Sequence, residues 1–538
     1  MKSGKLFYWS ITAALAGFLF GFDTVVISGA EKSIQSVWSL SGTMHGWAMS
    51  AALWGTVLGA VVGGFPTARW GRRKTLICIG ALYFISALWS GLSTDVYSFI
   101  IARFIGGLGV GISTIAAPLF ISEIAPAKDR GKLAGMFQFN IVFGILIAFF
   151  VNYVIAQNFA EAVAWRWMLG IEALPALIYM VMAFGLPESP RWLITHAKRR
   201  AEGMAVFRAI NPEMPQAELD QLVSEVEHSV SDTRQASKFW TSRMRVPILL
   251  AFLIAFFNQL SGINIILYFA PRLLDLAGMS DPLAASISLG VTNLIFTFVG
   301  LWLIDRLGRR KLLYIGSFGY ILSLGICAWA FLSVSEFKVV STAIDLNGAA
   351  AEVQSIEAGE KPWLTEAEVA NAHTGYSDAL SALETATALE SYRGEAITVP
   401  AEATTVQAQE IASAVKVESS ELLGGLSLVV LICLVGFIAA HAVGQGAVIW
   451  VFISEIFPND HRATGQALGS FTHWIFAASL TLLFPIAIAA FDTGIIFGFF
   501  CFMMVLQFLW VTFMVPETKG RSLEDIESEL GLLPTGAK

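Results

Sequence analysis

The sequence is poor in charged residues and in cysteine. Only 14% of its 538 residues are Asp, Glu, Lys or Arg, whereas 56% are hydrophobic. Soluble globular domains carry about 25% charged residues, so this composition excludes an ordinary soluble enzyme. The four cysteines all fall within apolar stretches, where each is expected to pack as a small apolar side chain. We therefore predict no disulfide framework, no metal site and no cofactor.

Long apolar stretches are what the chain has in abundance. A helix needs roughly 20 mostly apolar residues to cross the hydrocarbon core of a bilayer. Twelve charge-poor stretches reach that length, which predicts an all-α integral membrane protein with the lipid bilayer as its solvent. The predicted spans lie near residues 6–28, 46–68, 75–94, 96–120, 133–156, 167–186, 246–271, 283–304, 312–334, 422–452, 464–490 and 493–515.

The distribution of basic residues predicts the orientation. Lys and Arg accumulate in the cytoplasmic loops of membrane proteins. If both termini are cytoplasmic, 26 basic residues lie on the inner side and 7 on the outer side. We therefore expect a multi-pass protein of the cell membrane, the inner membrane if the source is Gram-negative. The first span is expected to be part of the bundle rather than a cleaved leader.

Internal repeats indicate that the chain is built from two six-span copies. Each repeated motif keeps its order relative to the predicted spans. The pairs are RWGRRK at 69–74 with RLGRRK at 306–311, FISEIAP at 120–126 with FISEIFP at 452–458, and PESPR at 187–191 with PETKGR at 516–521.

One polar insertion interrupts the second copy. Residues 335–421 contain 15 acidic and 4 basic residues. The Ala/Glu-rich tract at 365–392 favours a helix, and a flexible loop is the alternative. The predicted division is an N-terminal six-helix lobe (1–186), a cytoplasmic linker with short amphipathic helices (187–245), a C-terminal six-helix lobe (246–334 and 422–515), an acidic extracytoplasmic insertion (335–421) and a cytoplasmic tail (516–538).

Several motifs occur together in the order typical of one family. They are GFLFGFDTVVISGA at 17–30, the two GRRK loops, PESPRWL at 187–193, NQLSGIN at 258–264 and PETKGR at 516–521. This set resembles the sugar porters of the major facilitator superfamily, which include glucose facilitators and a bacterial xylose/proton symporter. The resemblance implies two pseudo-symmetric lobes and a sugar site near the midplane, exposed alternately to each side. We expect the monomer to be the functional unit.

The resemblance also implies a set of sugar contacts. A sugar has hydroxyls around its rim and apolar faces, so neutral amides and aromatic rings suit it. Asn258 stands where many relatives have Gln, and His473 stands where an amide is usual, which could alter sugar preference or add a pH-sensitive contact. Amides that only join helices are the alternative for each position. The implied contacts are Gln138, Asn258, Gln259, Asn264, Asn293, Trp450, His473 and Trp474.

Three charged residues are predicted to lie deep within the spans. They are Asp23, Arg103 and Glu172. An ionisable group inside a membrane is costly unless paired, and it is a functional candidate by default. In the family, facilitators lack both acids and the xylose/proton symporter has both. We hypothesise that Asp23 binds the proton, Arg103 sets its affinity and Glu172 relays the change. A static ion-pair network is the alternative.

Charged residues in the cytoplasmic loops form a third predicted group. They suggest a latch of salt bridges that favours the outward-open state and dissolves on inward opening. Topogenic charge would explain the arginines but not the paired glutamates. The set comprises Arg72, Arg73, Glu123, Arg130, Glu188, Arg191, Arg309, Arg310, Glu455, Arg462, Glu517 and Arg521.

These patterns predict a sugar transporter that couples a monosaccharide to a proton, with a glucose-like hexose favoured and xylose next. A facilitator, a polyol/proton symporter and a sugar sensor that does not transport remain alternatives. An enzyme is not expected, because the loops show no nucleophile with a base and no phosphate-binding glycine loop. The glycine-rich run at 106–111 lies inside the fourth predicted span, where it permits close helix packing. No nucleic-acid partner is expected.

Overall fold

The computed structural model describes residues 4–126, 130–228, 239–400, 403–458, 460–521, 523–530 and 532. Twelve helical segments in this part of the chain are long and apolar enough to cross a membrane. Their most apolar windows have mean hydropathies between 1.2 and 2.6. The prediction of an all-α membrane fold with twelve spans is therefore confirmed.

The first half supplies six spans from eight helices. The sixth span is divided between the two last helices, with the break at Ile171 and Glu172. The helices are α1 (Gly4–Val37), α2 (Gly42–Val62), α3 (Gly64–Arg69), α4 (Arg72–Leu92), α5 (Val96–Ile124), α6 (Arg130–Asn158), α7 (Glu161–Gly170) and α8 (Ala173–Phe184).

Three short helices follow as the connection between the halves. They are α9 (Pro190–Thr195), α10 (Arg200–Ile210) and α11 (Gln216–His228). Their apolar side chains, Phe207 and Val223 among them, are buried in the core that α1, α4 and α5 form. Burial of an apolar stripe, rather than intrinsic propensity, stabilises helices as short as these.

The second half repeats the arrangement, with a seventh span (Ser242–Tyr268) that is broken at Gly262. Its helices are α12 (Arg245–Leu260), α13 (Ile263–Tyr268), α14 (Ala270–Leu276), α15 (Pro282–Leu307), α16 (Arg309–Ser333), α20 (Gly425–Val443), α21 (Gln445–Ile456), α22 (Arg462–Ala490) and α23 (Thr493–Met514), followed in the tail by α24 (Leu523–Glu529).

The insertion between α16 and α20 is helical. It contains α17 (Ser335–Glu357), α18 (Glu366–Thr387) and α19 (Thr405–Leu423). Thr365 and Glu368 form a capping box at the start of α18, which satisfies two backbone N–H groups that the helix itself leaves unpaired. The flexible loop that the sequence left open as an alternative is therefore not what the structure shows.

Because the number of spans is even, the start of the first span at Gly4 and the end of the last span at Met514 lie on one side of the bundle, here called the terminal side. The 335–421 segment lies on the opposite side, here called the insertion side. The lobes meet along α2 with α22 and along α6 with α15. Gly46 on α2 permits one of these approaches, since an added Cβ there would lie 2.1 Å from the Leu482 carbonyl oxygen.

Candidate transport site

Four polar side chains predicted to bind sugar meet around Gln259. Its Nε2 donates to Asn258 Oδ1 over 3.0 Å and lies 3.1 Å from Nε2 of His473. Asn264 Nδ2 donates to Gln259 Oε1 over 2.7 Å. Because both ends of the Gln259 amide are bonded, the amide is held in one orientation.

Aromatic rings lie against this amide group. The centroid of the His473 ring is 5.3 Å from that of Trp450 and 4.8 Å from that of Trp474. Phe20 of the first lobe contacts Trp474 at 5.7 Å. Trp450 remains 37% exposed while Trp474 is buried, so the Trp450 ring is the more accessible of the two for stacking of the apolar side of a sugar ring.

The two remaining predicted contacts lie apart from this group. Asn293 is buried on α15, and Gln138 is half-buried on α6. These helices pack against each other across the lobe interface. Neither side chain hydrogen bonds to Gln259 within the described part of the chain, so their role in sugar binding stays a prediction.

A break in the seventh span explains how Gln259 and Asn264 meet. Gly262 has φ of 88°, a left-handed conformation that glycine adopts without strain. It separates α12, which carries Gln259, from α13, which carries Asn264. A side chain at Gly262 would also approach the Phe500 ring within 3.0 Å. The glycine of NQLSGIN is thus required both by the backbone and by packing.

Asp23 and Arg103 form a buried ion pair within the first lobe. Arg103 Nη1 donates to Asp23 Oδ1 over 2.6 Å, and Nη2 donates to the Asp23 carbonyl oxygen over 3.2 Å. The side chains are 3% and 1% exposed, respectively. Burying such a pair costs desolvation free energy. Removing either partner alone is strongly destabilising, because it leaves the other as an unpaired buried charge.

Glu172 completes the predicted trio at the break between α7 and α8. It is buried, and its carboxyl group interacts electrostatically with both Asp23 and Arg103. Its Oε1 has no hydrogen-bond partner within the described residues. One guanidinium balances only one carboxylate charge, so the trio is neutral when it holds one proton.

Tyr268 brings the second lobe close to this trio. It is buried on α13, close to both Asp23 and Arg103. Asn264 is four residues earlier in the same helix, and side chains at that spacing share a face. One turn of α13 therefore carries both a side chain of the amide group and a neighbour of the buried carboxylates.

The predicted latch residues pair within each lobe. In the first lobe, Arg72 makes a bidentate pair with Glu123 at 2.8 and 2.7 Å. The Glu188 carboxylate accepts from the backbone N–H of Arg72 at 2.7 Å and thereby caps α4. Gly71, with φ of 91°, leaves the space that this carboxylate occupies. Burial raises the pKa of Glu188, although these backbone donors oppose the shift.

The second lobe repeats this geometry. Arg309 pairs with Glu455 at 3.1 and 2.7 Å, and Glu517 accepts from the Arg309 backbone N–H at 2.9 Å. Gly308 has the same φ of 91° as its counterpart in the first lobe. The second arginine of each GRRK motif bonds a carbonyl at the end of its lobe's last span, Arg73 to Phe184 and Arg310 to Thr512, both at 2.6 Å.

The other latch residues take different positions. Arg521 pairs with Glu529 in the tail. Arg191 and Arg462 are half-buried, and Arg462 Nε has no partner within the described residues. The Arg130 side chain lies outside the described residues.

Sequence reasoning missed a charged cluster on the insertion side. The first span continues to Val37, past the predicted end at residue 28, and so buries Glu31. Arg272 of the second lobe pairs with Glu31 at 2.8 Å, and His45 lies 3.2 Å from it. The charged AEKS sequence at 30–33 hid the continuation of α1, because charged residues at the end of an apolar span are usually read as the start of a loop. Only the helical spacing of Ile27, Glu31 and Ile34 could have revealed it.

A buried amide pair in the second lobe was also missed. Gln445 Nε2 donates to Gln507 Oε1 over 2.9 Å, and Gln507 Nε2 donates to Ser317 Oγ over 2.8 Å. These side chains tie α21 to α23 and α16, beside the break at Gly444. They act as the interhelical amides that the sequence analysis considered for the sugar-site positions.

Comparison with known proteins identifies the family. A family model described as "Sugar (and other) transporter" matches residues 9–371 and 401–530. The chain is 29% identical over 525 residues to the arabinose-proton symporter of Bacillus subtilis (strain 168), covering 96% of this chain and 93% of the relative. It is 28% identical over 566 residues to the D-xylose-proton symporter of Escherichia coli (strain K12), covering 98% and 96%.

A solved structure of a sugar transporter supports the same family. The inward open conformation of the xylose transporter from E. coli superposes with a TM-score of 0.72 at 27% identity, covering 97% of this chain and 99% of that one. That protein is a transporter of the major facilitator superfamily, not an enzyme. The chain therefore belongs to the sugar transporter family.

Proposed function

We propose that this chain is a proton-coupled symporter of a monosaccharide that works by alternating access. The observation that carries the proposal is the buried trio of Asp23, Arg103 and Glu172, in which a second buried carboxyl group accompanies the Asp23–Arg103 ion pair. A facilitator has no need of such a site, because it moves sugar only downhill. The names of the arabinose and xylose relatives support the same coupling.

The amide group supplies the sugar site in this proposal. Gln259, Asn264 and His473 satisfy one another's hydrogen bonds, so sugar hydroxyls can replace those bonds without leaving a buried polar group unpaired. Trp450 offers an apolar plate beside them. Gln138 on the first lobe and Asn293 on the second would complete the set when the lobes close around the sugar.

The proton acts on the first lobe. A proton on Asp23 removes the negative charge that holds Arg103, and Tyr268 of the second lobe then faces a neutral acid. Glu172 takes up or returns the shared proton. A membrane potential supplies about 2.3 kcal/mol per charge per 100 mV. That energy lets a downhill proton drive the sugar uphill.

We further propose an orientation with both termini and the linker at 187–245 in the cytoplasm. The excess of basic residues on the terminal side supports it. In that orientation the 335–421 insertion is extracytoplasmic, between the parts 246–334 and 422–515 of the second lobe. The carrier would reside in the cell membrane and function as a monomer.

The proposed cargo is a glucose-like hexose, with xylose second. NQLSGIN at 258–264 resembles the hexose porters, while the two relatives compared above are named for pentoses. The two sugar classes differ by one hydroxymethyl group. A loosely packed rim discriminates such a difference by only about 1–3 kcal/mol.

Counterflow of radiolabelled sugars in proteoliposomes tests the proposal. The panel comprises glucose, galactose, xylose, arabinose and inositol, each with and without an imposed pH gradient. We expect saturable exchange of at least one hexose or pentose, and accumulation only with the gradient. Exchange without accumulation would indicate a facilitator, preference for inositol a polyol carrier, and binding without any exchange a sensor.

A further inference from the structure

The insertion is joined to the second lobe at both of its ends. α17 begins just after α16, and α20 begins just after α19. Val339, Leu383 and Ala412, one from each insertion helix, are fully buried in a small core of their own. Phe337 at the start of α17 packs into the core of the lobe. The insertion is therefore expected to move with the second lobe as one body.

One lysine of the insertion crosses to the first lobe. Lys361, in the turn between α17 and α18, donates to the Ser36 carbonyl oxygen over 2.9 Å and to Ser39 Oγ over 2.6 Å. Ser36 lies in the last turn of α1, where helix carbonyls are unpaired and a cation is favoured. The Lys361 residue is 9% exposed, so water competes weakly for these bonds.

A second contact lies beside it. Asp275 on α14 accepts from Lys32 of the first lobe and, over 2.6 Å, from Lys416 of the insertion. Burial alone would raise the pKa of Asp275, but Lys32 and Lys416 outweigh it and hold that pKa below its ordinary value. Arg272, one turn earlier, pairs with Glu31 at 2.8 Å. The insertion thus contributes to a group of charged contacts that join the two lobes on the insertion side.

We propose that the 335–421 insertion is a strap that holds the insertion side of the carrier closed, with Lys361 as its fastening point on α1. The strap favours the state open to the terminal side. Opening the insertion side must separate Lys361 from Ser36 and Ser39, because the insertion and α1 belong to different lobes. The proposal rests on the alternating-access transport proposed above.

The strap has a functional consequence. A carrier held closed on one side presents its sugar site there less often, and the apparent affinity on that side falls in proportion to the open fraction. Removing the fastening should therefore raise the apparent affinity for sugar presented from the insertion side. Exchange itself should survive, since the amide group around Gln259 is untouched.

The test compares Lys361→Met with Lys338→Met. Both substitutions remove a lysine charge and keep a flexible apolar side chain, but Lys338 is exposed on α17 and serves as the matched control. Spin labels at Thr94→Cys and Phe491→Cys report the separation of the lobes. These exposed positions lie on the insertion side, one in each lobe. The background lacks Cys78, Cys327, Cys433 and Cys501.

Double electron–electron resonance in proteoliposomes measures the distance between the two spin labels. We expect Lys361→Met to increase the ratio of long to short distances about three- to tenfold, as loss of a charge-assisted hydrogen bond predicts. Lys338→Met should match the parent. Identical distributions for Lys361→Met and the parent, or an equal shift in both variants, would overturn the strap.

Sugar counterflow on the same samples separates the two proposals. Exchange retained by every variant, with unchanged distance distributions, would refute the strap and leave transport intact. Absence of exchange in the parent would refute transport whatever the distances. A Lys361→Arg variant, which keeps a cationic donor, should retain the short distances; if it opened as fully as Lys361→Met, the fastening role of the cation would be wrong.

Discussion

Arg103 donates a 2.6 Å hydrogen bond to Asp23 in the interior of the first lobe, where both side chains are almost fully buried. The pair joins α5 to α1 at the level where Tyr268 of the second lobe approaches. A purely structural pair would need no third ionisable group. Glu172 adds one, and in the proposed mechanism it allows the charge of this site to change by one proton.

Replacing Asp23 with Asn should uncouple the carrier. The amide cannot take up a proton, yet it still accepts a hydrogen bond from Arg103. We expect sugar exchange in counterflow to remain within about threefold of the parent and gradient-driven accumulation to fall at least tenfold, since one pH unit is worth about 1.4 kcal/mol. Asp95→Asn is the control, because that side chain only caps α5. Accumulation retained by Asp23→Asn would disprove the coupling role.

Replacing Gln259 with Ala should weaken sugar binding. The substitution removes the central amide and leaves Asn264 and His473 without their partner. We expect the apparent affinity to fall roughly 10- to 100-fold, as loss of about 1–3 kcal/mol of buried hydrogen bonding implies. Isothermal titration calorimetry with the preferred sugar measures this affinity. Asn140→Ala removes a buried amide that, within the described residues, bonds the Met136 carbonyl of its own helix, and it should leave affinity unchanged.

The pH dependence of transport should come from the first-lobe carboxyl groups rather than from Asp275. The lysine pairs hold the pKa of Asp275 below its ordinary value of 3.8, so its pairing is complete above that value and is lost only as the pH falls through the lowered pKa. Between pH 5 and 8 this carboxylate stays ionised. Asp275→Asn should change exchange rates by a constant factor over that range. A profile that changed shape would contradict this assignment.

A larger residue at Gly46 should prevent closure of the insertion side. Its added Cβ would lie 2.1 Å from the Leu482 carbonyl oxygen, which is backbone of the other lobe and cannot turn aside. We expect Gly46→Leu to lose exchange and to give long distances between the Thr94 and Phe491 labels. Gly64→Leu, where nothing lies within 4 Å of the added Cβ, is the control. Short distances in Gly46→Leu would show that the lobes close elsewhere.

The sequence predicted the features that follow from periodicity and repetition. Twelve apolar runs predict twelve spans because the bilayer permits few other backbone arrangements. The two GRRK motifs predicted matched geometry, and Gly71 and Gly308 share the same φ of 91°. The family resemblance predicted Gln259 and Asn264 as sugar contacts, whereas their hydrogen bond across the break at Gly262 is a finding of the structure.

Contacts between distant parts of the chain could not be predicted in the same way. Glu31 and Arg272 are separated by 241 residues, and only the packed lobes reveal that they pair. The position of Lys361 against the end of α1 depends on how three insertion helices pack together, which composition does not determine. Composition did predict a charged, helix-forming segment there, and the structure supplies its contacts.

The interruption of the seventh span at Gly262 has a mechanical consequence. Gln259 and Asn264 lie on opposite sides of that interruption, and the hydrogen bond between their side chains bridges it. A pentose or hexose that took over both amides would replace this bridge and become the link between α12 and α13 itself. Binding of the cargo would then act directly on α13, which ends at Tyr268.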